Sequence, residues 1–326
     1  MADATTTGTL TAQLREVAKR LLAEGAVTRV IGYRQGRAPY HVSPHFATTP
    51  EQADQLIVTP FCTQNLVRYL RGLKPEDGKV AVVVKGCDAR AVNQLLAEHQ
   101  LTREQVYLIG VPCEGLVDPD KLARLVPLGQ VREVRLAGDE VTVVTDRGER
   151  RFPAGELLED CCRLCQYPNP VVYDELLGEE VRPRNPEGED AQLAALEAMP
   201  SEERLAYFRR AFERCLRCYA CVRGCPLCYC TTCFAQQTKP QYLPRTVGAD
   251  ENQMFNLGRA LHLAGRCVQC GACDRACPVN LPLRVLNAKM AREVQQAYGQ
   301  VAGLDPEAPP PLASFDSQDR DPAEKH

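Results

Sequence analysis

Apolar positions near the start of the chain recur with helical spacing. Leu14, Val17, Leu21 and Leu22 share one face, Thr11 is placed to cap the helix, and Gly25 is placed to stop it. Beyond it, short apolar runs alternate with amphipathic stretches. VTRVIGY (27–33), QLIVTP (55–60), KVAVVVKG (79–86) and VYLIGVPC (106–113) read as strands, and NLVRYLRGL and RAVNQLLAEHQ as helical stretches between them. That alternation predicts an α/β domain built on a parallel sheet. Between 132 and 152 the period changes to two around Gly138-Asp139, which predicts an antiparallel hairpin. From Cys161 to Pro200 the chain is acidic and Pro-rich, a crossing segment; Ser201 then opens a helix through EERLAYFRRAFERC, and ENQMFNLGRALHLAG supplies another. The expected organisation is an α/β domain over 1–180, a linker over 181–204, a helical domain over 205–295 and a disordered tail over 305–326.

Composition narrows the classes. A chain of 326 residues exceeds what a single core usually holds, which favours two domains. With 44% apolar and 25% charged residues it is an ordinary globular protein, and a net charge of -3 argues against a nucleic-acid footprint. The longest strong apolar run, Val80 to Val84, falls far below the roughly 18 residues of a membrane span. Neither common nucleotide fingerprint is present. The histidines His41, His45, His99, His262 and His326 are scattered and form no catalytic grouping, though His41 and His45 in YHVSPHF could touch a cofactor or lie on the surface. Cysteine changes the picture: there are 17, on a chain without a secretory pattern at its start, so the expectation is reduced thiols in the cytoplasm.

Seven of those cysteines fall within RCLRCYACVRGCPLCYCTTCF, residues 214–234. Cys215, Cys218, Cys221 and Cys225 with Pro226 have the spacing C-x2-C-x2-C-x3-C-P, which recurs at Cys267, Cys270, Cys273, Cys277 and Pro278. Three thiolates so spaced can wrap one cubane, while the fourth serves the other cluster in two-cluster ferredoxins. The spacing therefore predicts one 4Fe-4S cluster on Cys215, Cys218, Cys221 and Cys277 and a second on Cys267, Cys270, Cys273 and Cys225. Zinc prefers isolated C-x2-C pairs, and disulfides do not readily bridge such close positions. Cys228, Cys230 and Cys233 are left over, as ligands of a further metal or as buried free thiols. The 42-residue step from Cys225 to Cys267, with helices around it, resembles the α-helical ferredoxin domain of the heterodisulfide reductase C subunit and of the succinate dehydrogenase iron–sulfur subunit. The likeness spans 205–295, and GRCVQCGACDRACPVNLPL carries most of it.

Two strand ends also carry cysteines: Cys87 in VVVKGCDARAV and Cys113 in YLIGVPCEG, where ligands gather in open α/β sheets. CCRLCQYPNPVVYDELLG follows, with Cys162 and Cys165 as a C-x2-C pair and Asp174 beyond it. In these features residues 27–180 resemble the beta-subunit family of coenzyme F420-reducing hydrogenase and formate dehydrogenase. The resemblance implies a third 4Fe-4S cluster on Cys87, Cys113, Cys162 and Cys165, with Cys161 the alternative to Cys162. It also implies a module, usually holding FAD, that passes electrons between a deazaflavin or nicotinamide and an iron–sulfur relay. The other reading keeps Cys87 and Cys113 as core thiols and leaves the later pair to zinc or to nothing. Where the family has a Gly-rich flavin turn this chain has VTPFCTQN (58–65), without glycine, which counts against FAD and more so against F420; Cys62 there reads as packing. Lys85 is the candidate contact to a flavin carbonyl or phosphate, a solvated strand-end lysine being the alternative.

These readings converge on an electron-transfer subunit of an anaerobic oxidoreductase complex, partnered by formate dehydrogenase, hydrogenase or heterodisulfide-reductase-like subunits. One rival is a flavin-dependent oxidoreductase that takes a hydride from NAD(P)H or F420 and splits it into single electrons. Another is a metal sensor or scaffold, which would not need the complete crossed motifs.

Overall fold

The computed structural model describes residues 5–314. Helix α1 (Thr5–Ala23) begins before the expected cap, so Thr11 lies inside it. Its hydroxyl accepts from Val58 N–H (3.0 Å) and donates to Val58 O (3.4 Å), pinning the helix to a loop. Gly25, at φ +66°, ends the turn that follows.

The main sheet has the order β2-β1-β3-β4-β8, formed by β1 (Arg29–Gln35), β2 (Val42–Ala47), β3 (Val80–Val84), β4 (Val106–Gly110) and β8 (Glu175–Leu176). All pairs are parallel except β1 with β2. The strand expected at 55–60 is instead a loop with one isolated bridge, Arg34 to Leu56. Leu56 is drawn down beneath Gly32, where a Cβ would come within 2.5 Å of its Cδ2. The edge position goes to β2, which tolerates Pro44 because an edge strand leaves one side unpaired. NLVRYLRGL forms a single 3-10 turn, Leu66–Leu70. Helix α2 (Gly86–Ala97) crosses from β3 to β4 as the alternation requires.

After α3 (Pro119–Leu125), the expected hairpin is present and gains a strand: β5 (Val131–Ala137), β6 (Glu140–Thr145) and β7 (Gly148–Pro153) make an antiparallel sheet. The chain then returns through α4 (Asp160–Arg163) to the main sheet. Asp174 Oδ2 accepts from Leu108 N–H (2.6 Å) and its other oxygen pairs with Arg103 (2.8 Å), which sets the register of β8.

The stretch expected as a linker holds α5 (Ala191–Ala198), whose Leu193 and Leu196 pack on Val285 and Ala288 of α10 (Leu283–Tyr298). Next come α6 (Ser201–Glu213) and α8 (Ala249–His262). The helical region is not a separate body: Leu263 and Val268 share one core with β3 and β4. Of the expected disordered tail, residues 305–314 are placed, with Gln300 Nε2 donating to Ala308 O (3.3 Å) and Pro309 O (3.0 Å). Residues 315–326, His326 among them, lie outside the described residues. No described helix is long and apolar enough to cross a membrane.

Candidate metal centre

Each C-x2-C-x2-C loop turns because the residues flanking its second cysteine adopt the left-handed conformation. These are Arg217 (φ 47°) and Tyr219 (φ 60°) in the first loop, Gln269 (φ 56°) and Gly271 (φ 69°) in the second. The turn starts a short helix bearing the third cysteine: α7 (Ala220–Gly224) and α9 (Ala272–Arg275). Cys215, Cys218, Cys221 and Cys277 line one space of about 310 Å³, open mouth included, walled by Phe255, Leu281 and Leu283. Three thiols thus come from one motif and the fourth from the other. Cys225 does not line that space; it is buried in the core against which Cys267 and Cys270 of the second loop pack.

Of the leftover thiols, Cys228 packs against the core that holds Cys225, and Arg71 Nη1 donates to both carbonyls (Cys228 O 2.5 Å, Cys225 O 3.3 Å). Cys233 packs in the helical core and Cys230 is exposed.

The strand-end thiols form a further group. Cys87, Cys113, Cys162 and Cys165 line a single cavity, together with Cys161 and with Cys267 and Cys270 of the second loop. Backbone contacts close it. Cys113 N–H donates to Pro168 O (3.1 Å), and Gly86 lets α2 approach so closely that a Cβ would lie 2.0 Å from Tyr167 O. At Gly271 a Cβ would meet Cys161 Sγ at 2.5 Å, which marks where the two regions touch. Cys161 Sγ is also 3.4 Å from Arg275 Nη1 and 3.6 Å from Cys270 O.

Lys85 is not solvated. It is 6% exposed, and its ammonium donates to Asp88 Oδ2 (2.7 Å) and Tyr33 OH (2.5 Å), with Cys87 and Cys113 nearby. Burial works against its charge, but Asp88 and those neighbours hold its pKa well above the ordinary lysine value.

The thiols suit iron. Burial pushes Cys267 and Cys221 up to about 11 and Cys113 and Cys270 up to about 12, because bare thiolates would face one another in an apolar space. Coordination to a cation reverses that preference and deprotonates them. Among the described residues no three His, Cys, Asp or Glu side chains converge on a single-ion position, and the cysteines instead ring spaces larger than one ion.

A second cavity opens at the strand ends beside Lys85. Val58, Thr59, Pro60 and Cys62 of the VTPFCTQN segment line it, and Gln13 Oε1 in its wall is buried without a partner. Cys62 is a packed thiol accepting from Thr59 N–H (3.3 Å). His45 is buried on β2 with Nε2 3.0 Å from Gln52 O, and His41 is exposed beside Tyr40; neither lines this cavity.

Sequence reasoning missed Arg90 and Arg259, two buried cations between the thiol groups. No spacing rule flags them, because their partners are backbone carbonyls remote in sequence.

Residues 77–174 match the family described as the C-terminal part of the coenzyme F420 hydrogenase/dehydrogenase beta subunit. Residues 214–282 match a 4Fe-4S dicluster domain. Over 90% of its length the chain is similar to the F420-dependent formate dehydrogenase subunit beta of Methanocaldococcus jannaschii, 23% identical across 91% of that protein. It is likewise similar over 90% to the F420-dependent formate dehydrogenase 1 subunit beta of Methanococcus maripaludis, 25% identical across 91% of that protein. Among solved structures, a chain of the F420-reducing NiFe hydrogenase complex from Methanosarcina barkeri aligns with a TM-score of 0.40 and 18% identity, over 50% of this chain and 60% of that one.

Proposed function

We propose, from the premise that the chain joins a coenzyme F420 hydrogenase/dehydrogenase beta-subunit region to a 4Fe-4S dicluster domain, that it is the electron-transfer subunit of a formate dehydrogenase- or hydrogenase-like complex. In this reading it holds three 4Fe-4S clusters. Cys215, Cys218, Cys221 and Cys277 hold the first, Cys267, Cys270, Cys273 and Cys225 the second, and Cys87, Cys113, Cys162 and Cys165 the third. Cys162 is preferred to Cys161 because Cys161 is engaged by Arg275 and Cys270 O. Cubanes bound at these thiols supply one-electron chemistry with potentials tuned by charge, hydrogen bonding and exposure.

The protein's own part is to hold the thiol groups adjacent. Val268, Leu263 and Ala302 pack against the strands beneath the second loop. The observation that carries the reading is the single cavity lined by both the strand-end thiols and Cys267 and Cys270. It gives the two regions a direct junction. Cysteines free of disulfides among the described residues suit a reducing compartment, and we place the protein in the cytoplasm.

Anaerobic purification with iron and acid-labile sulfide counts tests this. Three four-iron cages give about twelve irons per chain, and Cys87→Ala or Cys165→Ala should remove about four. A parent with about eight keeps the dicluster part alone, and about four or fewer rejects the relay.

The second cavity favours one companion reading. Its apolar walls and the unpartnered Gln13 Oε1 fit a flat ring bearing an N–H donor, such as a flavin. Lys85, already bonded to Asp88 and Tyr33, keeps one N–H for such a ring. Acid release of a yellow chromophore from the isolated chain supports this companion reading, and a colourless extract rejects it.

A further inference from the structure

Three arginines lie buried without a carboxylate partner among the described residues: Arg217, which sits inside the first loop and donates to Pro244 O, and two that lie beside the thiol groups of more than one loop. Arg90 and Arg259 are 5% and 4% exposed, and neither takes part in a salt bridge. A guanidinium cannot shed its charge, and burying it without a counter-ion is strongly unfavourable. Each therefore needs a nearby anion.

Arg90, three residues after Cys87 on α2, reaches across to the second loop. Its Nε and Nη2 donate to Ala302 O (3.0 and 2.8 Å) and Nη1 to Val268 O (3.4 Å), with the guanidinium 4.5 Å over the Tyr167 ring. It lines the cavity that holds Cys87, Cys165 and Cys267. Arg259 lies on α8 between Phe255 and Ala260, which share one core with Cys221 of the first motif loop and Cys273 of the second. It projects from α8 with Asn252 and Asn256 on the same face; Asn252 Nδ2 holds Cys215 O (2.9 Å), and Asn256 lines the first thiol space. Arg259 Nη2 donates to Cys221 O (3.2 Å) of the first loop, and its Nε has no partner. Cys273 and Cys225 of the second group and Cys221 of the first all bear on its charge.

We propose that these arginines are shared counter-charges, one at each junction of the relay: Arg90 between the third and second clusters, Arg259 between the second and first. This rests on the three-cluster reading above. Four thiolates outweigh the charge of the iron core they bind, so each loaded site is anionic and supplies the missing partner. In return the fixed cation stabilises an added electron on either side, raising both adjacent midpoint potentials. The transfer moves charge alone: one electron enters and one leaves, no bond is made, and the arginine keeps its proton.

The test uses the full chain, purified anaerobically, as parent, Arg90→Gln, Arg259→Gln and the two Lys variants. Iron is counted, and midpoints are read by EPR-monitored redox titration. The third cluster is identified by the signal lost in Cys87→Ala. Arg90→Gln should lower the third and second midpoints and spare the first. Arg259→Gln should lower the first and second and spare the third, so the second is moved by both. Each Lys variant should stay near the parent.

Unmoved midpoints at full iron, equal movement of all three, or a Lys variant falling as far as Gln overturns the proposal. Should a Gln variant lose iron, retention in its Lys counterpart supports the charge, and loss there as well overturns it. A parent with only two signals removes the third cluster and the Arg90 half, while the Arg259 half is read all the same.

Discussion

The two cysteine loops can be laid over each other residue by residue: Arg214 on Arg266, Leu216 on Val268, Arg217 on Gln269, Tyr219 on Gly271. Their backbones repeat the same pair of left-handed residues, yet their surroundings are opposite. Leu216 is 60% exposed and Cys218 beside it is exposed; Val268 is 2% exposed and lies in the core of the α/β sheet. Arg214 reaches only Asn280 O (3.4 Å) at the surface, whereas Arg266 grips Glu98, the residue that ends α2, with two bonds of 2.6 Å. Tyr219 fills its own side of the loop, edge-on to Phe255 at 5.4 Å, where Gly271 leaves room for Cys161. One motif therefore serves two duties. The first loop faces outward, as an end of the relay would, and the second is the joint that binds the helical region to the sheet.

The sharpest way to break that comparison is Gly271→Ala. The new Cβ would sit 2.5 Å from Cys161 Sγ at a φ of +69°, so strain and overpacking together should cost about 3 kcal/mol. A lowered denaturation midpoint is expected, together with lost iron on the proposed three-cluster reading, and an unchanged iron count with unchanged stability would remove Gly271 from the joint. Next in size is the Arg266 pair. Glu98 and Arg266 side chains are 5% and 18% exposed, so Glu98→Ala strands a largely buried guanidinium and should cost about 3 kcal/mol at most. Arg214→Ala, its counterpart on the open loop, should stay within about 0.5 kcal/mol. Denaturant midpoints of the two variants, taken in the same redox state, decide whether the loops differ as described.

How much of this was legible beforehand depends on where each residue's partners lie. The parallel strands β1, β3 and β4 follow from apolar runs punctuated at fixed spacing. The crossed thiols are an expectation from a local repeat, and in the structure Cys277 lines one space with Cys215, Cys218 and Cys221. What failed was decided by distant contacts. QLIVTP has a strand's composition, but Leu56 is spent filling the space under Gly32, and VSPHFA takes the edge in its place. Thr11 has a cap's chemistry, but Val58 claims its hydroxyl. Arg90 and Asn93 of α2 are polar yet buried, because residues 302 and 303 fold back onto them. Lys85 is hidden for the same reason, since Tyr33 lies 52 residues away.

The smallest expected effect separates the loops most cleanly, because it removes side-chain carbon alone from equivalent backbone. Val268→Ala deletes two methyl groups from a packed site next to Leu263 and the sheet, and should cost about 2 kcal/mol through lost burial and the space left behind. Leu216→Ala deletes a larger group, but one already facing solvent, and should stay within about 0.5 kcal/mol. Intrinsic loop geometry cannot produce such a gap, since both positions precede a left-handed residue in the same turn. Equal losses would mean that the first loop is as deeply packed as the second and that the outward and inward duties are not divided between them.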